Sequence, residues 1–189
     1  MALAQSEHFV SGVPAPGTWT LDPAHTDVTF TARHLMVTKV RGRFPVTGGT
    51  ITIAPDPLES SVEATIDVAN LLSGDASRDE HLRSPDFFDT EQYPTASFRS
   101  TKVEDAGDGT FRVTGDLTVK GVTKPVTLEL EYLGSINSPW GDQRAGFSAT
   151  ADVSRKEWGL EWNVALEAGG VVVGDKVRLH IDAEAVLQK

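Results

Sequence analysis

Hydrophobic and polar residues alternate along most of this chain, and a period of two predicts β-strands. Val28, Phe30 and Ala32 share one face, with Asp27, Thr29, Thr31 and Arg33 on the other. Val62, Ala64, Ile66 and Val68 alternate with Glu63, Thr65 and Asp67. The same rhythm returns at Phe111–Val119, Val126–Glu131, Ala145–Val153 and Val177–Ala185. Turns are expected at Thr47-Gly48-Gly49, Asp105–Gly109, Lys120–Pro125 and Gly169-Gly170. Roughly eight strands at this spacing suit an antiparallel sheet closed into a barrel, which holds a packed core or one small ligand.

One segment breaks the rhythm. Arg78–Phe88 reads RDEHLRSPDFF. A short helix is predicted over Ala76–Leu82, with Asp75 as N-cap and Ser84-Pro85 as the stop, followed by a turn to Phe88. Such a segment suits a cover for one barrel mouth. Its arginines and histidine are donors for a polar head, and Phe87-Phe88 make an apolar entrance. Many expected inward positions are small: Ala32, Ala64, Ala145, Ala149, Ala151, Ala183 and Ala185. Small inward residues leave volume for a ligand, unless large partners opposite fill it.

Composition narrows the function. The 189 residues predict one barrel domain, 18–189, preceded by a loose arm, 1–17. A net charge of −10 opposes nucleic-acid binding and gives no attraction to an anionic membrane surface. The absence of cysteine excludes disulfides, thiolate metal sites and cysteine nucleophiles. The opening residues show neither a basic n-region nor a long apolar run. No signal peptide, no stable membrane insertion and a cytoplasmic location are therefore expected. No HExxH, GxSxG, P-loop or dinucleotide fingerprint is present, so neither catalysis nor a cofactor or metal is expected.

Several segments together resemble the YceI-like family, lipocalin-like barrels that bind polyisoprenoid lipids. They are Trp19–Thr26 with Val28, Phe30, His34 and Leu35; Val40–Phe44 with Gly48-Gly49; Ser77–Phe88; Tyr93–Phe98; Val113–Pro125; and Arg155–Leu160. The resemblance covers about Gly17 to Val186. It implies an all-β fold, an extended eight-stranded antiparallel barrel with a short helix near residues 76–88, whose elongated pore holds an isoprenoid lipid or another long-chain amphiphile. It also implies a homodimer. Trp158 stands before Gly159, where Phe is the family's common choice.

On this basis the candidate ligand-binding residues are His25, Phe30, His34, Phe44, Ala64, Arg78, His81, Leu82, Phe87, Phe88 and Trp158. His25 and His34 are donors for a phosphate or a quinone carbonyl, or they cap and satisfy the core. Arg78 and His81 read equally as head-group ligands or as structural ties, and Asp79 reads better as a tie. Trp158 and Trp162 are read as core before ligand platform, Trp19 as core at the closed end, and His180 as outward and solvated. Two other readings stay open: an enzyme that modifies a lipid or quinone through the histidines, and a stress-related protein with a dry barrel.

Overall fold

The computed structural model describes His8–Phe9 and residues 12–189. Its strands are β1 (His8–Phe9), β2 (Gly17–Leu21), β3 (Asp27–His34), β4 (Thr38–Ile53), β5 (Ser61–Asp67), β6 (Thr95–Gly107), β7 (Thr110–Val119), β8 (Val122–Asn137), β9 (Gln143–Ser154) and β10 (Val173–Leu187). The one α-helix among the described residues, α1, spans Ala76–Arg83. β2 and β3 act as a single broken strand, because both pair antiparallel with β4 on one side and β10 on the other. β4 to β10 continue in antiparallel neighbours, and β9–β10 pairing closes the ring. The result is the expected closed eight-stranded barrel. No helix among the described residues is long and apolar enough to cross a membrane.

The break between β2 and β3 follows from Pro23, which has no N–H to give to a ladder. A 3-10 turn forms over Pro23–His25, and Asp22 caps it by accepting from Ala24 N. Thr26 repairs the ladder: its buried hydroxyl donates to Glu184 O and accepts from Glu184 N, both at 3.3 Å. Opposite the break, β4 shifts register between Val46 and Gly48.

This corrects one expected turn. Thr47-Gly48-Gly49 lies inside the 16-residue β4, not in a hairpin. A Cβ on Gly49 would stand 2.5 Å from Glu63 O, so the glycine permits close strand approach. The expected turn at 120–125 shrinks to Lys120-Gly121, both at positive φ, and Val122–Pro125 belongs to β8. The 105–109 hairpin and the helix fall where the pattern put them.

The expected arm lies partly outside the described residues, at 1–7 and 10–11. Within it, the backbone of β1 pairs with β8 at Ile136 and Ser135, and Pro14 is buried.

Candidate functional site

The inward faces of the strands enclose a cavity of about 310 Å³ that runs along the barrel. One end is bounded by Val13, Pro14, Pro57 and Ser60, and the other by Phe87, Phe88, Trp158 and Leu160. Between them the wall is aliphatic and aromatic. Ala32, Ala64, Ala96, Ala149 and Ala183 alternate with Val, Leu, Ile and Phe side chains around it. The small inward residues therefore leave space, as their size suggests. Ala145, Ala151 and Ala185 are instead packed in the buried core.

Most of the wall's few polar groups are already occupied. Tyr132 shares a hydrogen bond with Ser135 at 2.5 Å, and Thr26 is committed to Glu184. Arg155, the charged residue of the lining, donates to the carbonyls of Leu160, Trp162, Val173 and Gly174. Burial pulls its pKa down, and Asp175 at 3.6 Å opposes that shift. No buried side-chain nitrogen or oxygen among the described residues lacks a partner. The wall thus offers chiefly apolar contact, and its one charged group is spent on backbone carbonyls.

Two glycines shape this wall. Gly42 lies opposite Phe30, and a Cβ there would be 2.1 Å from the Phe30 ring. Gly115 stands opposite Ser100, and a Cβ there would be 2.5 Å from the ring of Phe98, two residues along β6. Each glycine lets a phenylalanine lie flat over the neighbouring strand. Phe30 then meets Phe44 at 5.0 Å between centroids, and Phe44 meets Phe88 edge-on at 5.4 Å.

The helical end is held by its charged residues. Asp79 is buried and accepts from Ser73 N at 2.8 Å and Ser73 Oγ at 2.5 Å. Arg78 donates to Ser73 Oγ and O, while Arg83 donates to Ala69 O and Leu71 O. These bonds clamp α1 onto residues 69–73 and leave Leu82, Phe87 and Phe88 against the cavity. Arg155–Trp158 form a 3-10 turn ended by Gly159 in the left-handed region. Trp158 is buried there, with its Nε1 donating to Leu117 O at 2.9 Å.

The eleven candidate residues therefore separate. Phe30, Phe44, Ala64, Leu82, Phe87, Phe88 and Trp158 line the cavity; His25, His34, Arg78 and His81 do not. His81 packs edge-on against Phe87 and Trp162 and pairs with Asp86 at 2.9 Å. His34 ends β3, opposite Thr38 and Val173. His180 is exposed beside Asp182, and Trp19 is fully buried. The sequence reading passed over Phe98, Tyr132, Phe147 and Leu160, which also line the cavity. Their alternation was visible, but which strands face each other across the lumen was not.

His25 stands on the barrel's outer surface in the strand break. It bonds Asp22 at 2.8 Å, and Glu184 lies 3.9 Å away. The Asp22 bond raises the His25 pKa above its ordinary value, and the same bond lowers that of Asp22. Three potential metal ligands meet here. Arg144 already occupies the space between them, with Nη1 at 2.9 Å from Asp22 and 2.6 Å from Glu184. The cluster is an ion-pair network that locks β2, β9 and β10 together.

Fold and cavity together define an antiparallel lipocalin-like β-barrel that encloses an apolar pocket. Residues 19–185 match the model of the YceI-like domain, and the chain belongs to that family. It is 40% identical over 166 residues to protein YceI of Escherichia coli O17:K52:H18, covering 87% of this chain and 83% of that protein. Its fold is that of Burkholderia cenocepacia BcnA (TM-score 0.73, 24% identity, 87% and 98% of the two chains). It is also that of a polyisoprenoid-binding domain from Saccharophagus degradans implicated in plant cell wall breakdown (TM-score 0.66, 16% identity, 90% and 98%).

Proposed function

We propose that this protein sequesters or carries an isoprenoid lipid, or a similar long-chain amphiphile, with the tail inside the barrel. The observation that carries this reading is the apolar cavity running along the barrel, whose one charged lining residue, Arg155, is spent on backbone carbonyls. Family membership and the polyisoprenoid-binding domain that shares the fold support the class of ligand. The mechanism is removal of the tail from water, at about 0.8 kcal/mol for each buried methylene. Because that force has no direction, tail length and shape are selected by the wall. A polyprenyl phosphate or isoprenoid quinone would keep its head beyond the apolar wall. A modifying enzyme is the weaker reading, since none of His25, His34 and His81 lines the cavity.

Native mass spectrometry of protein purified from its own host, followed by lipid extraction, tests the proposal. The expected result is a stoichiometric isoprenoid mass. A clean apo mass, with no uptake of added polyprenyl phosphates or quinones, would refute it. The same spectrum reads the mass of the homodimer that the family resemblance implies.

A further inference from the structure

The hairpin of β3 and β4 carries apolar residues at its tip and cations on its flanks. Leu35, Met36 and Val37 are consecutive and 41%, 49% and 76% exposed. Leu35 and Met36 sit at φ 51° and 66°, the left-handed region that Asn and Gly occupy most easily in hairpin turns. The turn is held by Val37 N donating to His34 O, and it is braced by Leu35 N donating to Val172 O. A polar Asn-Gly turn would fold here with less strain. Chain reversal alone therefore does not call for two large apolar side chains at these positions.

The outward face of the same hairpin carries Arg33, Lys39 and Arg41, all exposed. Arg33 lies directly across the ladder from Lys39, a like-charge pair that weakens a hairpin. Nearby cations on this side of the barrel are neutralised: Arg43 by Asp27, and Lys176 and Arg178 by Asp152. Among the described residues, no carboxylate lies in ion-pair range of Arg33, Lys39 or Arg41. On its β3 side the hairpin is paired with β10 as far as His34, and Met36 lies close to Gly170; its β4 edge is the open one. β5 pairs with β4 only from Val46 onward, and below that, among the described residues, the β4 edge has one isolated bridge, from Arg43 to Leu72.

We propose that this hairpin docks the protein on an anionic lipid bilayer. Leu35, Met36 and Val37 enter the boundary between headgroups and acyl chains, and Arg33, Lys39 and Arg41 lie against lipid phosphates. Charge complementarity selects this occupant. A chain of net charge −10 is repelled by an anionic surface as a whole, so the three clustered cations around the exposed apolar tip decide which face approaches. The net charge alone, which gave no attraction to a membrane, hides this local patch. Docking brings the end of the cavity closed by Phe87 and Trp158 toward the bilayer, because Arg155 ties the backbone of Leu160 and Trp162 to Val173 and Gly174, beside the Val172 carbonyl that braces the tip. This surface is separate from the cavity wall, and docking through it does not depend on which lipid the barrel holds.

Vesicle flotation of the full chain tests it, with phosphatidylcholine alone and with roughly a third phosphatidylglycerol added. Binding is expected on the anionic vesicles only, and it should fall when salt rises from about 0.05 M to about 0.5 M. The triple variant R33E/K39E/R41E should weaken it by at least about tenfold. The turn variant L35N/M36G should lose it as well while folding at least as well as the parent, which separates docking from stability. Absence of binding by the parent, equal binding to neutral vesicles, or full binding by L35N/M36G would each overturn the proposal.

Discussion

Replacing Ala64 by tryptophan tests whether the cavity is the binding site. Ala64 lies on the inward face of β5, opposite Gly49 on β4 and Phe98 on β6, and it lines the cavity. An indole there projects into space that is empty in a cavity of about 310 Å³, so the usual penalty of about 1–3 kcal/mol for overpacking a filled core should largely be avoided. The ligand loses what the indole displaces. If that is one five-carbon isoprene unit, the lost transfer free energy approaches about 4 kcal/mol at 0.8 kcal/mol per carbon. The tail is also freed from ordering, so half that value, about 2 kcal/mol or roughly thirtyfold in Kd, is the working expectation. The assay is displacement of a fluorescent hydrophobe by isoprenoid alcohols of increasing length, with a thermal melt to confirm the fold. Thr65→Trp, one residue away on the exposed outer face, controls for the presence of an indole. Affinity for long tails should drop in Ala64→Trp and stay unchanged in Thr65→Trp. A folded Ala64→Trp protein that binds long tails as the parent does would show that the ligand lies elsewhere.

Gly42→Ala should push the Phe30 ring off β4, since the new Cβ would lie 2.1 Å from it. A stability loss of about 1–3 kcal/mol is expected in denaturant titration, and an unchanged midpoint would contradict the packing account. His25 should titrate above the ordinary histidine value by NMR, because Asp22 and Glu184 favour its cation. The stability this contributes is present below the unfolded pKa and is lost as pH rises through the folded one. Asp22, held low by His25, works in the opposite sense: its contribution is present above its unfolded pKa and is lost as pH falls through the folded value. Asp22→Asn should reduce the upward shift of His25, with Glu184 keeping part of it, and an unshifted His25 in the parent would refute the assignment.

Alternation alone carried the strands, because in a half-buried sheet each residue's face is fixed by its parity. It also placed Phe30, Ala64 and their neighbours inward, and the Asp75 cap with the Ser84-Pro85 stop bounded α1. Roles that depend on partners distant in sequence were not legible this way. Arg78 and Arg83 look like head-group ligands in the sequence, but residues 69–73 supply backbone carbonyls that take up their donors. His25 looks like a mouth residue, but Pro23 breaks the strand and turns it outward among Asp22, Arg144 and Glu184. Gly48-Gly49 has the composition of a turn, but β5 runs against it and needs the space a Cβ would take. Sequence by itself determined the period, the turns with obligatory geometry and the family, all of which rest on local chemistry. Only tertiary structure decided which wall positions surround one lumen, which charges are spent on the backbone, and which cations on the β3–β4 hairpin are left without a partner. Those depend on register and barrel closure, which bring together residues more than a hundred positions apart, such as Asp22 and Arg144.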